Sequence, residues 1–340
     1  TTIENKEISE NESKKLRASY YFMGALLGKY KKVQMFFPGG CSLGPRPINL
    51  HLKGFEALGA KIQADGNKYS IEAEELVGNN IYLDIASVGA TINIMLAAVK
   101  AKGVTVIENA AKEPEIVNVA IFLNNMGANI SGAGTSEIKI VGVDKLHGCF
   151  HEIIPDRIEA GTFAIMGALL GDNMRIENII PGHLDALMSK LAEIGIEVQM
   201  GHNYCIINKA QHLKSTNIKT MVYPGFPTDL QQPITALLTQ CDGESVVQES
   251  IFESRFNNIS YLNEMGANIT TDNDRAYIKG PTPLYGKVVD ATDLRAGACL
   301  IIAGLIASGK TTINNIEHVL RGYEQIVEKL TNLGAKITLK

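Results

Sequence analysis

The sequence predicts an α/β fold in two domains, assembled from repeated units of about 70 residues that each read β-α-β-α-β-β. Three observations predict it: a length of 340 residues, a helix–Gly–strand signature that recurs five times, and a second apolar-helix signature lying between the copies. The glycines of the first signature are Gly59, Gly127, Gly195, Gly266 and Gly334, spaced by 68, 68, 71 and 68 residues. Each is expected to end a helix in the left-handed region and to be followed at once by an alternating strand.

The second signature opens on a polar or small residue, continues as an apolar helix, closes on a Gly and leads into a β-branched strand. Its copies run Arg17–Gly28, Ser87–Gly103, Glu159–Gly171, Asp229–Gly243 and Arg295–Gly309. The hexapeptide Met-Gly-Ala-Leu-Leu-Gly occurs twice, at Met23–Gly28 and Met166–Gly171. Helices apolar nearly all round belong beneath sheets. The expected strands after them include Val104–Glu108, Met174–Glu177 and Thr311–Asn314. Too few residues precede Arg17 to complete the first unit, so some 70 to 80 residues are expected ahead of this sequence in a six-unit arrangement.

Composition narrows the function. Hydrophobic residues make up 45% and charged residues 20%, which excludes a disordered chain. A net charge of −4 argues against a general nucleic-acid or membrane-surface binder. Five cysteines without a CxxC pair argue for a reducing compartment rather than a disulfide framework. The seven histidines show no metal-ligand spacing, since His147 and His151 lack a third ligand.

Only eight of the 32 basic residues are Arg, and five of them occupy two repeated slots. Arg17 and Arg295 open second-signature helices; Arg46, Arg255 and Arg321 precede their units' first-signature glycines by 13, 11 and 13 residues. Equivalent slots in repeated units are expected to converge in space. Guanidinium groups and helix N-termini together suit a small, multiply anionic ligand. The bland alternative is surface ion pairs worth less than about 1 kcal/mol each.

Between Val33–Phe37 and the next helix lies Pro38-Gly39-Gly40-Cys41-Ser42-Leu43-Gly44-Pro45-Arg46-Pro47. Gly and Pro at this density describe an exposed loop. A Cys in such a loop, with an Arg five residues on, favours thiolate chemistry. Cys149, Cys205, Cys241 and Cys299 read instead as small core residues. Asp229, in Phe226-Pro227-Thr228-Asp229, is either an N-cap or a general base among arginines. Asp156, Arg157 and Glu159 read as hinge or cap residues, and Ser87–Thr91 as a helix start able to hold a phosphate or a sugar hydroxyl.

Taken together, Leu16–Ser19, Pro38–Pro47, Ala86–Thr91, Glu113–Ile116, Pro155–Phe163, Phe226–Asp229, Phe252–Phe256, Thr292–Ala296 and Arg321–Glu324 resemble the UDP-N-acetylglucosamine 1-carboxyvinyltransferase (MurA) family of enolpyruvyl transferases. The resemblance implies two inside-out α/β barrel domains of repeated units. These are 1–154, carrying the Cys loop on the sugar-nucleotide side with its first unit truncated, and a second domain, 155–340. It implies enolpyruvyl transfer from phosphoenolpyruvate to the 3′-hydroxyl of UDP-N-acetylglucosamine, with release of phosphate. This is the first committed step of cytoplasmic peptidoglycan synthesis, needs no cofactor or metal, and is inhibited by fosfomycin.

By the same resemblance Cys41 is the general acid and Asp229 the base. Arg17, Arg46, Arg295, Arg321 and Arg255 surround phosphoenolpyruvate and phosphate. Arg17, Arg46, Pro47, Asn49, Leu50, Ser87, Val88, Gly89, Asp229 and Ile251 line the UDP-N-acetylglucosamine site. The family's Lys-Asn pair has no counterpart, its loop usually has Asp at Asn49, and some members have Lys at Ile85. This sequence by itself is therefore expected to turn over weakly or not at all, even where the intact gene product is a working enzyme. Two other readings remain: the shikimate-pathway relative, which uses no loop Cys, and an inactive or regulatory paralogue that binds the nucleotide sugar.

Overall fold

The computed structural model describes residues 8–15, 17–36, 48–253 and 255–340, with the backbone alone at 12, 14, 15 and 17. The chain divides into two compact units that change over between Ile154 and Pro155.

The first unit begins with α1 (Glu10–Lys15), α2 (Tyr21–Tyr30), β1 (Lys32–Phe36), α3 (Asn49–Ala57), β2 (Lys61–Asp65) and β3 (Lys68–Glu72). It continues with β4 (Asn80–Tyr82), α4 (Val88–Ala98), β5 (Val104–Glu108), α5 (Pro114–Asn125), β6 (Asn129–Ser131) and β7 (Glu137–Val141). Two sheets form, in the orders β1-β3-β2 and β4-β5-β7-β6. β4 and β5 pair in parallel across α4, and the other pairs are antiparallel. At the corresponding edge of β1 a single parallel bridge joins Ile8 to Met35.

The second unit repeats this plan. Its first repeat holds α6 (Arg157–Leu170), β8 (Met174–Glu177), α7 (Asp185–Ile194), β9 (Val198–Met200) and β10 (Tyr204–Ile207). Its second holds β11 (Ile218–Lys219), α8 (Gln231–Leu238), β12 (Gly243–Gln248), α9 (Ile259–Glu264), β13 (Asn268–Asp272) and β14 (Arg275–Gly280). Its third holds β15 (Val288–Asp290), α10 (Leu294–Ile306), β16 (Thr312–Asn314), α11 (Glu317–Leu320) and α12 (Ile326–Asn332). Parallel pairing recurs between β11 and β12 and between β15 and β16. The strand expected after Gly334 does not form; no antiparallel partner follows it among the described residues.

Burial follows the apolar pattern. Eight residues of α4, from Ala90 to Ala98, are buried, as are all eight of α8 and eight of α10 from Ala296 to Ala303. Each fully buried Leu or Ile contributes about 1.5–3 kcal/mol. These helices form the interior and the sheets the outside, the layering expected of an inside-out α/β unit; among the described residues the sheets remain separate sets of two to four strands.

All five first-signature glycines have positive φ, from 94° to 111°, the conformation that the repeat requires. The second signature is less uniform. Gly103, Gly243 and Gly309 have positive φ, but Gly28 lies inside α2 and Lys31 takes the left-handed cap, while Gly171 closes α6 at φ −67°. Gly28 is small for another reason. A Cβ there would lie 2.9 Å from the Leu96 carbonyl oxygen, and one at Gly24 would lie 2.2 Å from that of Asn93, so both let α2 cross α4 closely.

Candidate active site

In the second unit a short 3₁₀ turn, Thr228–Leu230, leads into α8 and carries Asp229. The side chain of Asp229 caps neither the turn nor α8, which removes the N-cap reading. Two guanidinium groups hold its carboxylate. Arg255, in the loop between β12 and α9, donates Nη2 to Oδ1 at 2.7 Å. Arg295, in the first turn of α10, donates Nη2 to Oδ2 at 3.1 Å. The Arg255 side chain is 2% exposed, that of Arg295 11% and that of Asp229 38%, so Asp229 is the most accessible of the three.

Hydrogen bonds continue outward on both sides. Arg255 Nη1 donates to Thr228 Oγ1 at 2.8 Å. Arg295 Nη1 donates to the buried Tyr323 hydroxyl at 3.0 Å. Tyr323 and Thr162 share a bond of 2.9 Å, and Thr162 donates to the Ile158 carbonyl at 2.8 Å. Thr162 must therefore accept from Tyr323, and Tyr323 must accept from Arg295. Asp293 caps α10, accepting from the Arg295 and Ala296 amides at 2.8 and 2.9 Å, and it accepts from Asn257 at 2.9 Å. Asp156 caps α6 in the same way, through the Ile158 and Glu159 amides. The N-terminal turns of α6, α8 and α10 thus contribute to one cluster, and their partial positive charge adds to that of the two arginines.

Electrostatics follow from this packing. Burial alone would raise the Asp229 pKa, but Arg295 and then Arg255 outweigh it and hold the carboxyl well below the usual carboxylate range. Burial works against the charged form of Arg295, and Asp229 followed by Tyr323 more than restores it, so its pKa lies above the ordinary Arg value. The Asp229 carboxylate is ionised at neutral pH.

The expected site residues fall into separate groups. Asp229, Arg255 and Arg295 come together directly. Ile251, 37% exposed, lies on the same loop as Arg255. Arg321 is exposed at the end of α11, its Nη2 2.7 Å from His318 Nδ1. Cys41, Arg46 and Pro47 lie outside the described residues, as does the side chain of Arg17.

In the first unit Asn49 and Leu50 open α3, while Ser87, Val88 and Gly89 open α4. His51 joins the two helix starts. Its Nδ1 lies 2.9 Å from Asn93 Nδ2, and a Cβ on Gly89 would come within 3.0 Å of its ring. The Gly24 amide donates to Asn93 Oδ1 at 2.7 Å, which fixes the Asn amide so that Nδ2 faces His51 and the Tyr20 carbonyl. This network assigns acceptance to His51 Nδ1. Ser87 Oγ accepts from the Ala90 amide at 3.3 Å, an ordinary cap.

Sequence reasoning missed Tyr323, Thr228, Thr162 and Glu249. Tyr323 was within reach, because it lies in the Arg321-Gly322-Tyr323-Glu324 segment. Cys149 is corrected. It is exposed, in a stretch without regular structure after β7, whereas Cys205, Cys241 and Cys299 are buried as expected. Among the described residues no group of His, Cys, Asp and Glu could hold a metal ion, and no helix is long and apolar enough to cross a membrane.

Comparison with known proteins fits this architecture. A family model described as EPSP synthase (3-phosphoshikimate 1-carboxyvinyltransferase) matches residues 1–330. UDP-N-acetylglucosamine 1-carboxyvinyltransferase 2 of Listeria monocytogenes is 58% identical over 325 residues, covering 96% of this chain and 77% of that protein. The protein of the same name from Bacillus anthracis is 56% identical over 324 residues, with 95% and 76% covered. Among solved structures, the enolpyruvyl transferase NikO from Streptomyces tendae superposes with a TM-score of 0.88 at 25% identity, covering 98% of this chain and 79% of that one. EPSP synthase from Acinetobacter baumannii, at 22% identity and a TM-score of 0.69, covering 94% of this chain and 77% of its own, shares the fold. Helices enclosed by repeated sheets, and a sequence match running nearly end to end, lead to one conclusion: this chain belongs to the EPSP synthase family and, within it, to the UDP-N-acetylglucosamine 1-carboxyvinyltransferases.

Proposed function

We propose that this protein transfers the enolpyruvyl group of phosphoenolpyruvate to the 3′-hydroxyl of UDP-N-acetylglucosamine and releases phosphate. The observation that carries the reading is the 58% identity over 96% of the chain to a protein of that name. The reaction is the first committed step of peptidoglycan synthesis, which makes the enzyme part of cell-wall formation, cell shape and division. The composition argues for a reducing compartment, and we place the reaction in the cytoplasm on that ground.

The chemistry needs an acid, a base and positive charge. The sugar hydroxyl oxygen attacks C2 of phosphoenolpyruvate while a proton adds to the C3 methylene. The tetrahedral adduct then loses phosphate from C2 and a proton from C3. In this proposal Cys41 supplies the proton to C3, and Asp229 receives the proton of the hydroxyl. An ionised carboxylate on a partly exposed side chain, braced by Arg255 and Arg295, supports the second assignment. A base held at so low a pKa is weak but always unprotonated, so its value lies in placement. Arg17, Arg46, Arg295 and Arg321 neutralise the carboxylate and phosphate, and Arg255 lines the site. Asn49, Leu50, Ser87, Val88, Gly89 and Ile251, with Pro47, receive the nucleotide sugar.

The test is phosphate release by the intact gene product with phosphoenolpyruvate and UDP-N-acetylglucosamine, with the enolpyruvyl product identified by mass. Shikimate 3-phosphate serves as the control acceptor and is expected to give none. Product from shikimate 3-phosphate alone would overturn the acceptor assignment, and no product from either would overturn the transferase reading. Fosfomycin is expected to add once to the protein, at Cys41. Unchanged labelling of Cys41→Ser would exclude that thiol.

A further inference from the structure

Two loops of the second unit, β11–α8 and β12–α9, meet on one carboxylate. Glu249 follows β12 and is 3% exposed. Its Oε1 accepts from the Thr220 hydroxyl at 2.9 Å, the Ile251 amide at 2.8 Å and the Phe252 amide at 3.2 Å. Its Oε2 accepts from the Thr228 hydroxyl at 2.8 Å. Four donors thus offset the cost of burying this charge.

The bond from Thr228 has a directional consequence. A hydroxyl carries one proton, and Thr228 commits it to Glu249. What it presents to Arg255 Nη1, 2.8 Å away, is a lone pair. Arg255 Nη2 then faces Asp229 at 2.7 Å. Charges alternate along the series Glu249, Arg255, Asp229, Arg295. The same carboxylate also holds the amide of Ile251, so one group ties the Ile251 loop to the Asp229 turn.

We propose that Glu249 is a positioning residue of the candidate site: by polarising Thr228 it sets the Arg255 guanidinium, and through it the Asp229 carboxylate. The inference rests on the reading of Asp229 as the base of enolpyruvyl transfer. A purely structural brace would alter stability and leave turnover of the folded protein unchanged.

The experiment is steady-state kinetics on the intact gene product with phosphoenolpyruvate and UDP-N-acetylglucosamine, alongside circular dichroism. The variants are Glu249→Gln, Thr228→Val, Thr228→Ser and the Glu249→Gln/Thr228→Val double variant. Glu249→Gln and Thr228→Val should each lower kcat about 10- to 100-fold, the scale of a small misplacement of reacting groups. The KM for phosphoenolpyruvate should move by less than about threefold, and Thr228→Ser should restore kcat to within about threefold of the parent. The double variant should be no worse than Thr228→Val, because both act through one link. Parent-like kcat in Glu249→Gln, or losses that multiply in the double variant, would overturn the proposal. If Glu249→Gln does not fold, equal kcat in Thr228→Val and Thr228→Ser would overturn it instead. A parent without turnover sinks the functional reading and this inference together, whereas an active parent beside an unaffected Glu249→Gln sinks the inference alone.

Discussion

Arg255 reaches Asp229 across 26 positions of chain, Nη2 to Oδ1 at 2.7 Å, with its own side chain only 2% exposed. A guanidinium so enclosed braces the carboxylate from the protein side. Arg255→Ala should therefore strip a buried charged donor from both Asp229 and Thr228 and cost about 2–3 kcal/mol. The check is the urea midpoint at unchanged slope. Arg321→Ala, at an exposed position, should stay within about 0.5 kcal/mol of the parent. Equal losses in the two variants would contradict this account of Arg255.

Asp229 also sets a pH dependence. Its folded pKa is depressed below the unfolded value by Arg295 and Arg255 acting against burial. The stability it contributes is present above the unfolded pKa of about 3.9 and is lost as pH falls toward the folded value. Urea unfolding between about pH 2 and pH 6 should lose stability with acid, and Asp229→Asn should flatten part of that slope. An unchanged slope in Asp229→Asn would show that the carboxyl is not held low. As the proposed base, the same variant should lose about 10²- to 10⁴-fold in kcat.

The thiols separate by environment. Burial raises the Cys205 pKa to about 11 and those of Cys241 and Cys299 to about 12, the last despite a bond from Asn258. Cys149 is exposed, with its Sγ 3.9 Å from the Phe122 carbonyl oxygen. Among the four described cysteines, an alkylating reagent near pH 8 should label Cys149 in the native protein and reach Cys205, Cys241 and Cys299 only on unfolding, as read by peptide mapping. Native labelling of Cys241 or Cys299 would contradict this burial.

The crossing of α2 and α4 should resist any added side chain. In Gly24→Ala the new methyl would lie 2.2 Å from the Asn93 carbonyl oxygen and 2.5 Å from its Oδ1, and helix backbone cannot yield as a side chain can. The expected cost is about 2–3 kcal/mol, seen as a lower Tm. A parent-like Tm would show that the two helices are free to separate.

Much of the fold was legible in the sequence because the same physical demand recurs. A helix that must stop and reverse needs a left-handed residue, and Gly59, Gly127, Gly195, Gly266 and Gly334 mark those places. Arg255 and Arg295 stood out because Arg is scarce here and these two occupy repeated slots. Tyr323 and Thr162 meet across 161 positions, and a lone hydroxyl carries no spacing signal, so their part in the cluster appears only on folding. Glu249 is hidden for the same reason, as one acidic residue among 36. Cys149 was misjudged because buried thiols are the commoner case, and nothing in its neighbourhood showed that the chain there lacks a covering helix.

The line from Arg295 through Tyr323 and Thr162 stops at a main-chain oxygen, Ile158, in the opening turn of α6. Neither hydroxyl can turn round without abandoning that final acceptor, so the ordering has one sense only. The orientation of Arg295 is thereby inherited from the backbone of a different repeat. Any solvent or temperature that frays the start of α6 should slacken this guanidinium before the second unit melts, so loss of turnover should precede loss of structure.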